Sequence, residues 1–423
     1  MPIIQHTLQD KAIFLAEPIA TSKTVAIGFW FSVGSRFENS ENHGISHFVE
    51  HMLFKGSKNY SCFDISCEFD KMGGYVNAFT ERDLLCVHCV VPCQYCEKAI
   101  DIICEMVFTS KFDVGEIEKE RTVIQSEIRS SLDDSEEVAI DSVFASVWKD
   151  NAIGKSIAGS VSSVESLTQE NLLDWYERYI KNGKMVVALA GNFSVDSVLK
   201  KIEKFPTRKA IEQNFQTPVW HSKTYFINAS FQQEQFLLSY PIKFPITFEK
   251  SMHFAILNAI IGDTMSSRLF QKLREESGFC YNVYSFLNFF YDCGFWLFYA
   301  TSAKENSLSV SSDLIKIVNE FFSGKIEDEE LKFAKQHLIG EEIMASEDVE
   351  QRMKNLARNY FSGFEMIEYE KVIEVIQNTK AEDLQNILDE FACCSEKSFV
   401  VCGPKLKKSV QKAIKCEVEN WKI

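Results

Sequence analysis

A chain of 423 residues exceeds one ordinary hydrophobic core and suits two to four domains. With 46% hydrophobic residues and 35 Phe it has ample apolar area to bury, which excludes intrinsic disorder. A net charge of −15, from 45 basic and 60 acidic side chains, argues against a nucleic-acid partner.

The first residues, Met1-Pro2-Ile3-Ile4-Gln5-His6, carry neither the basic cluster nor the apolar run of a secretory signal. No stretch approaches the roughly 18 apolar residues of a membrane span, so a cytoplasmic chain without a membrane span is expected. Thirteen cysteines spread along the sequence are expected to stay reduced. In chain order the first regular pattern is the alternation of Val25, Ile27, Phe29, Phe31 and Val33, which predicts a strand over 24–33 running into a turn at Gly34.

Next comes His43-Gly44-Ile45-Ser46-His47-Phe48-Val49-Glu50-His51-Met52-Leu53-Phe54, where Ile45, Phe48, Val49, Met52 and Leu53 recur at the spacing of a half-buried helix. On such a helix His47, Glu50 and His51 share a band roughly 100° wide on the side away from the apolar stripe. Two imidazoles four residues apart can each give a neutral nitrogen to one Zn²⁺, and a carboxylate just before the second can reach a water on that ion. The bland alternative is a wet helix face that happens to hold two His and a Glu.

Phe63 to Met72 is expected to be helical and to stop at Gly73-Gly74, before an extended segment Tyr75-Val76-Asn77-Ala78-Phe79-Thr80 and a strand from Leu84 to Val91. Cys86, Cys89, Cys93 and Cys96 resemble a zinc-knuckle pair in spacing. In a strand, however, Cys86 and Cys89 point to opposite faces, so a second metal site would need that strand to break. A long helical run follows from Gly115 to Leu132, with Glu120 and Glu127 on the same stripe as Val123 and Ile124. A carboxylate on a buried face costs several kcal/mol unless it is paired or bound to metal. Either the two reach solvent or a basic partner, or one is the third ligand that two His still lack.

Leu167 to Ile180 is amphipathic and helical, and Met185 to Gly191 is a buried strand. The same order returns at Ala381 to Phe391 and Ser398 to Gly403, and the strand Phe236 to Tyr240 with the helix Ser251 to Ile261 echoes the strand and motif helix of the first half. Two copies of one α+β unit are therefore expected, over 1–210 and 222–423, joined by a polar stretch from about 205 to 222. Only the first copy carries H-x-x-E-H. In the second, Ser266 to Val283 holds a short helix ended by Gly278 and a strand opened by Tyr281, and on pattern alone Arg274 and Tyr281 have no role. Residues from Lys304 onward, including the helical run Glu327 to Ile343, read as structural.

With those residues in hand the chain resembles the M16 family of inverted-motif zinc metallopeptidases, in Gly44 to Ser57, Lys119 to Ile128, Gly154 to Gly159, Gly191-Asn192 and Ser266 to Tyr281. Its length is similar to that of the short, processing-peptidase-like subfamily. The resemblance implies two tandem α/β-sandwich units of the LuxS/MPP-like metallohydrolase fold. It implies His47, His51 and Glu127 as zinc ligands, Glu50 as general base and Glu120 as support behind the ligands. It also implies that Asn77 and Ala78 lie in an edge strand to which the peptide substrate adds, and that Arg274 and Tyr281 hold its backbone and stabilise the oxyanion. A homodimer closed around one chamber and a zinc endopeptidase acting on extended or unfolded peptides follow as expectations. A non-catalytic or hetero-oligomeric subunit related to processing peptidases is the alternative.

Overall fold

The computed structural model describes residues 3–8, 12–204 and 216–420, so most of the expected joining stretch, 205–215, lies outside the described residues. Alternating apolar runs pair into two sheets, because a strand with one buried face holds its register only against neighbours of the same period. The first sheet takes β1 (Ile4–Thr7), β2 (Ile13–Pro18), β3 (Thr24–Phe31), β4 (Tyr75–Thr80), β5 (Leu85–Pro92) and β6 (Met185–Gly191) in the order β1-β2-β6-β3-β5-β4. The second takes β7 (Thr224–Asn228), β8 (Gln233–Pro241), β9 (Cys280–Phe289), β10 (Gly294–Ala303) and β11 (Ser398–Gly403) in the order β7-β11-β8-β10-β9.

Setting β1 aside, the two orders are the same. In each sheet the first and last strands of the set pair in parallel, β2 with β6 and β7 with β11, and every other pairing is antiparallel. The fold is thus α+β in two tandem copies, as the repeated helix-strand order predicts. β10 has no counterpart in the sequence reading, although its continuous run Phe295 to Ala300 suits a strand buried on both faces.

Among the helices are α1 (Ile45–Met52), α2 (Val114–Ser131), α3 (Ser135–Val147) and α4 (Val349–Phe361). The compact units do not follow the halves of the chain throughout. One comprises Met1–Ser130, Lys155–Gln216 and Met344–Glu368, and the other Ser131–Gly154, Thr217–Ile343 and Tyr369–Ile423. Each half therefore lends one helix to the sheet of the other.

The reason is visible in the strand alternation. In the first sheet Phe14, Ile27 and Phe29 face one core together with Phe48 and Val49 of α1, while Ile13, Leu15, Trp30, Val186 and Ala188 face the other side. That second face is closed by Val349, Met353, Leu356 and Ala357 of α4. In the second sheet Leu237, Phe295, Leu297 and Val400 are closed in the same way by Ala139, Val143, Phe144 and Val147 of α3. Cys86 and Cys89 fall on opposite faces of β5, one in each core, and burial pushes both thiols well above their ordinary pKa.

Candidate metal centre

α1 begins at Gly44, whose φ of +92° is open to glycine at little cost. A Cβ there would lie 2.7 Å from the Ala158 carbonyl oxygen and 3.0 Å from the Gly159 Cα, so the backbone at 158–159 presses directly on the helix start. The side chain of Glu38 takes hydrogen bonds from the N–H groups of Gly44 (2.7 Å) and Ser46 (2.9 Å), two of the donors a helix N-terminus leaves without partners. Burial nevertheless pushes the Glu38 carboxyl up to about 7. Ile45, Phe48, Val49 and Met52 are at most 1% exposed, which turns His47, Glu50 and His51 to the opposite side.

α2 brings two carboxylates to these imidazoles. Nδ1 of His51 donates to Oε2 of Glu120 at 3.0 Å, and Nζ of Lys55 lies 2.7 Å from the other Glu120 oxygen. With its proton on Nδ1, His51 turns a free lone pair on Nε2 toward Glu127 Oε2, 3.3 Å away. Nε2 of His47 lies 4.0 Å from the same oxygen, and the two rings stand 4.6 Å apart. One donor atom from each of His47, His51 and Glu127 lies within 4.8 Å of the others, the one group of at least three such residues among those described. Burial, then the neighbouring His51, holds His47 down to about 4, so its imidazole is neutral at pH 7 and fit to ligate. Two imidazoles and one carboxylate are a donor set suited to Zn²⁺, with a place left over for water or substrate.

Glu50 sits beside this group. Its Oε2 accepts the Thr80 hydroxyl at 2.6 Å, and burial raises its pKa above the usual carboxylate range while Thr80 and His51 pull the other way. Thr80 ends β4, the edge strand of its sheet, and Asn77 and Ala78 lie in that strand.

The expectation that Glu120 and Glu127 share one buried stripe needs correcting. Glu120 is 5% exposed, whereas the Glu127 side chain is 47% exposed and Val123 is also outside. The stripe that α2 buries is Ile117, Glu120, Arg121, Ile124 and Ile128, so Glu127 stands at its rim, where it faces the imidazoles and solvent together.

Arg274 and Tyr281 belong to the other unit. The Arg274 guanidinium lies 4.7 Å from the Phe270 ring centre and 5.2 Å from that of Tyr281, and Tyr281, in the edge strand β9, is largely exposed. Glu38, Lys55 and Thr80 escaped the sequence reading. Lys55 lies just past the end of α1, four residues after His51, and Glu38 and Thr80 likewise reach the site through tertiary packing that no spacing encodes.

Fold and site together define a two-unit α+β protein with an inverted H-x-x-E-H motif whose side chains, with Glu127, could hold a metal ion. The description "Insulinase (Peptidase family M16)" matches residues 14–161, and "Peptidase M16 inactive domain" matches residues 166–338. An "uncharacterized zinc protease" of Rickettsia felis is 32% identical over 383 residues, covering 90% of this chain and 92% of that protein. The crystal structure of a peptidase M16 inactive domain from Pseudomonas fluorescens superposes with a TM-score of 0.88 at 16% identity, covering 96% of this chain and 98% of that one. A chain of complex III2 from Candida albicans superposes with a TM-score of 0.81 at 16% identity, covering 98% and 100%. This chain belongs to peptidase family M16.

Proposed function

We propose that the chain is a zinc-dependent endopeptidase that hydrolyses extended or unfolded peptides. What carries this is the convergence of His47, His51 and Glu127, with Glu50 held beside them by Thr80. When bound, zinc supplies Lewis acidity that polarises a carbonyl and makes water a nucleophile at neutral pH. The chain supplies the rest. Glu120, itself paired with Lys55, fixes the ring of His51. Glu50 takes a proton from the attacking water and passes it to the leaving nitrogen; burial strengthens it as a base, and the Thr80 hydroxyl orients it.

The free edge of β4 accepts a peptide backbone as an added strand at Asn77 and Ala78. Folded proteins offer no free strand and are poor substrates on this account. In the working form two copies of a cytoplasmic chain of the short, processing-peptidase-like type enclose one chamber. Arg274 and Tyr281 act there on the substrate backbone and the oxyanion.

The test is metal analysis combined with mass-spectrometric mapping of cleavage in an unfolded peptide, with and without chelator. Zinc should be bound and cleavage should stop when it is removed. Glu50→Gln should keep the zinc and lose activity by ~10²-fold or more. An intact chain that holds no zinc, or a Glu50→Gln variant as active as the parent, overturns the proposal and favours a structural subunit.

A further inference from the structure

We propose that each lent helix also clamps the free edge of the sheet it covers, and that in the first unit the clamp from Tyr75 to Glu350 sets how firmly an extended peptide adds to β4. The second clause rests on the strand-addition reading above.

In the first unit Asp348 caps α4 by accepting the Glu350 N–H at 2.8 Å, which places Glu350 in the first turn, over the sheet edge. One Glu350 oxygen accepts the hydroxyl of Tyr75 in β4. The other lies 3.0 Å from His88 Nε2 in β5 and 2.6 Å from Lys354 Nζ. His88 is the cross-strand partner of Asn77 and is 3% exposed, so a single carboxylate grips the edge strand and the strand behind it.

The second unit repeats the arrangement. Asp134 caps α3 by accepting the N–H groups of Glu136 and Glu137, at 2.9 and 3.1 Å. Glu136 Oε1 accepts the hydroxyl of Tyr284 at 2.6 Å, and Tyr284 lies in β9, the edge strand of that sheet. The same Asp-x-Glu start therefore meets an edge-strand tyrosine twice, although Ser135 and Val349 between the acids differ. An isolated surface contact has no reason to recur in this way. An edge strand is paired along one side only, and β4 also carries Thr80, the group that orients Glu50. Fixing Tyr75 keeps that edge extended when a peptide is laid along it.

Three variants test this: Tyr75→Phe and Glu350→Ala, which remove the bond, and Glu350→Gln, which keeps an acceptor. Hydrogen exchange of the amides in 75–80 is followed without substrate. Binding of a fluorescein-labelled unstructured peptide is measured in a Glu50→Gln background, and KM and kcat in the parent. Tyr75→Phe and Glu350→Ala should speed exchange in 75–80 while leaving β6 unchanged, and should weaken peptide binding and raise KM about fivefold, the worth of one hydrogen bond. The zinc content should hold, and Glu350→Gln, which keeps one oxygen for Tyr75 but loses the oxygen that faces His88 and Lys354, should fall between the parent and Glu350→Ala. Unchanged exchange in 75–80, or faster exchange with unchanged peptide binding, overturns the clamp. A parent chain that cleaves nothing counts against the peptidase reading alone, since exchange and binding still judge the clamp.

Discussion

Glu120 and Glu127 lie seven residues apart on one helix and do different work. Glu120 is buried, bonded to His51 through one oxygen and to Lys55 through the other. Glu127 is half exposed and turns Oε2 to both imidazoles. Glu127→Gln should therefore abolish most zinc binding, whereas Glu120→Gln should weaken it by about 10–100-fold, as losing a hydrogen-bond partner of a ligand does. Competition against a chromophoric chelator measures both, and the reverse order would assign the ligand to Glu120. At this scale the sequence was informative wherever chemistry is local: i and i+4 on α1 bring His47 and His51 together without help from the fold. It was less so for the acids. Spacing placed both on one stripe, but the rotation of α2 against its neighbours decides which of them stays at the rim.

For α1 the decisive contact is at its start. Glu38 caps the helix from six and eight residues upstream, and its carboxyl is held near 7 against an ordinary 4.5 because burial outweighs two backbone hydrogen bonds. The folded state thus prefers the protonated form. That preference contributes in full below about pH 4.5 and is lost as the pH climbs through about 7. Measured against Glu38→Gln, which lacks this contribution, the parent chain should lose on the order of 3 kcal/mol of stability between about pH 5 and 8. Urea or thermal melts of the two proteins across that range check it, and parallel curves would mean that the helix N-terminus keeps the carboxylate ionised. Element existence followed from periodicity for α1, β3, β5 and β6, whose runs are amphipathic or continuously apolar. Some helices continue differently from the expected single stretch: Gln169–Trp175 passes into a wider π-turn at Tyr176–Lys181, a change of winding that apolar spacing does not report.

Over the whole molecule the exchange of α3 and α4 is the feature that reading in halves left out. The stretch after Lys304 looked structural because α4 is an ordinary amphipathic helix, and nothing in a period of 3.6 says which sheet it covers. A fragment of residues 1–216 lacks α4 and bares Ile13, Leu15, Trp30, Val186 and Ala188 on one continuous face. It should aggregate, and a peptide spanning 344–368 should restore a soluble species on size-exclusion chromatography. A fragment that is monomeric by itself would show that α4 is dispensable to that sheet. The tandem topology, in contrast, could be inferred early, because the repeated helix-strand order survives even where the side chains have diverged. The exchange also constrains how such a gene can vary. Recombination that imports one half from a distant relative brings a foreign cover for the resident sheet and leaves the incoming sheet with a native one, so both seams must match at once. Inheritance therefore treats the two halves as a single locus of compatibility.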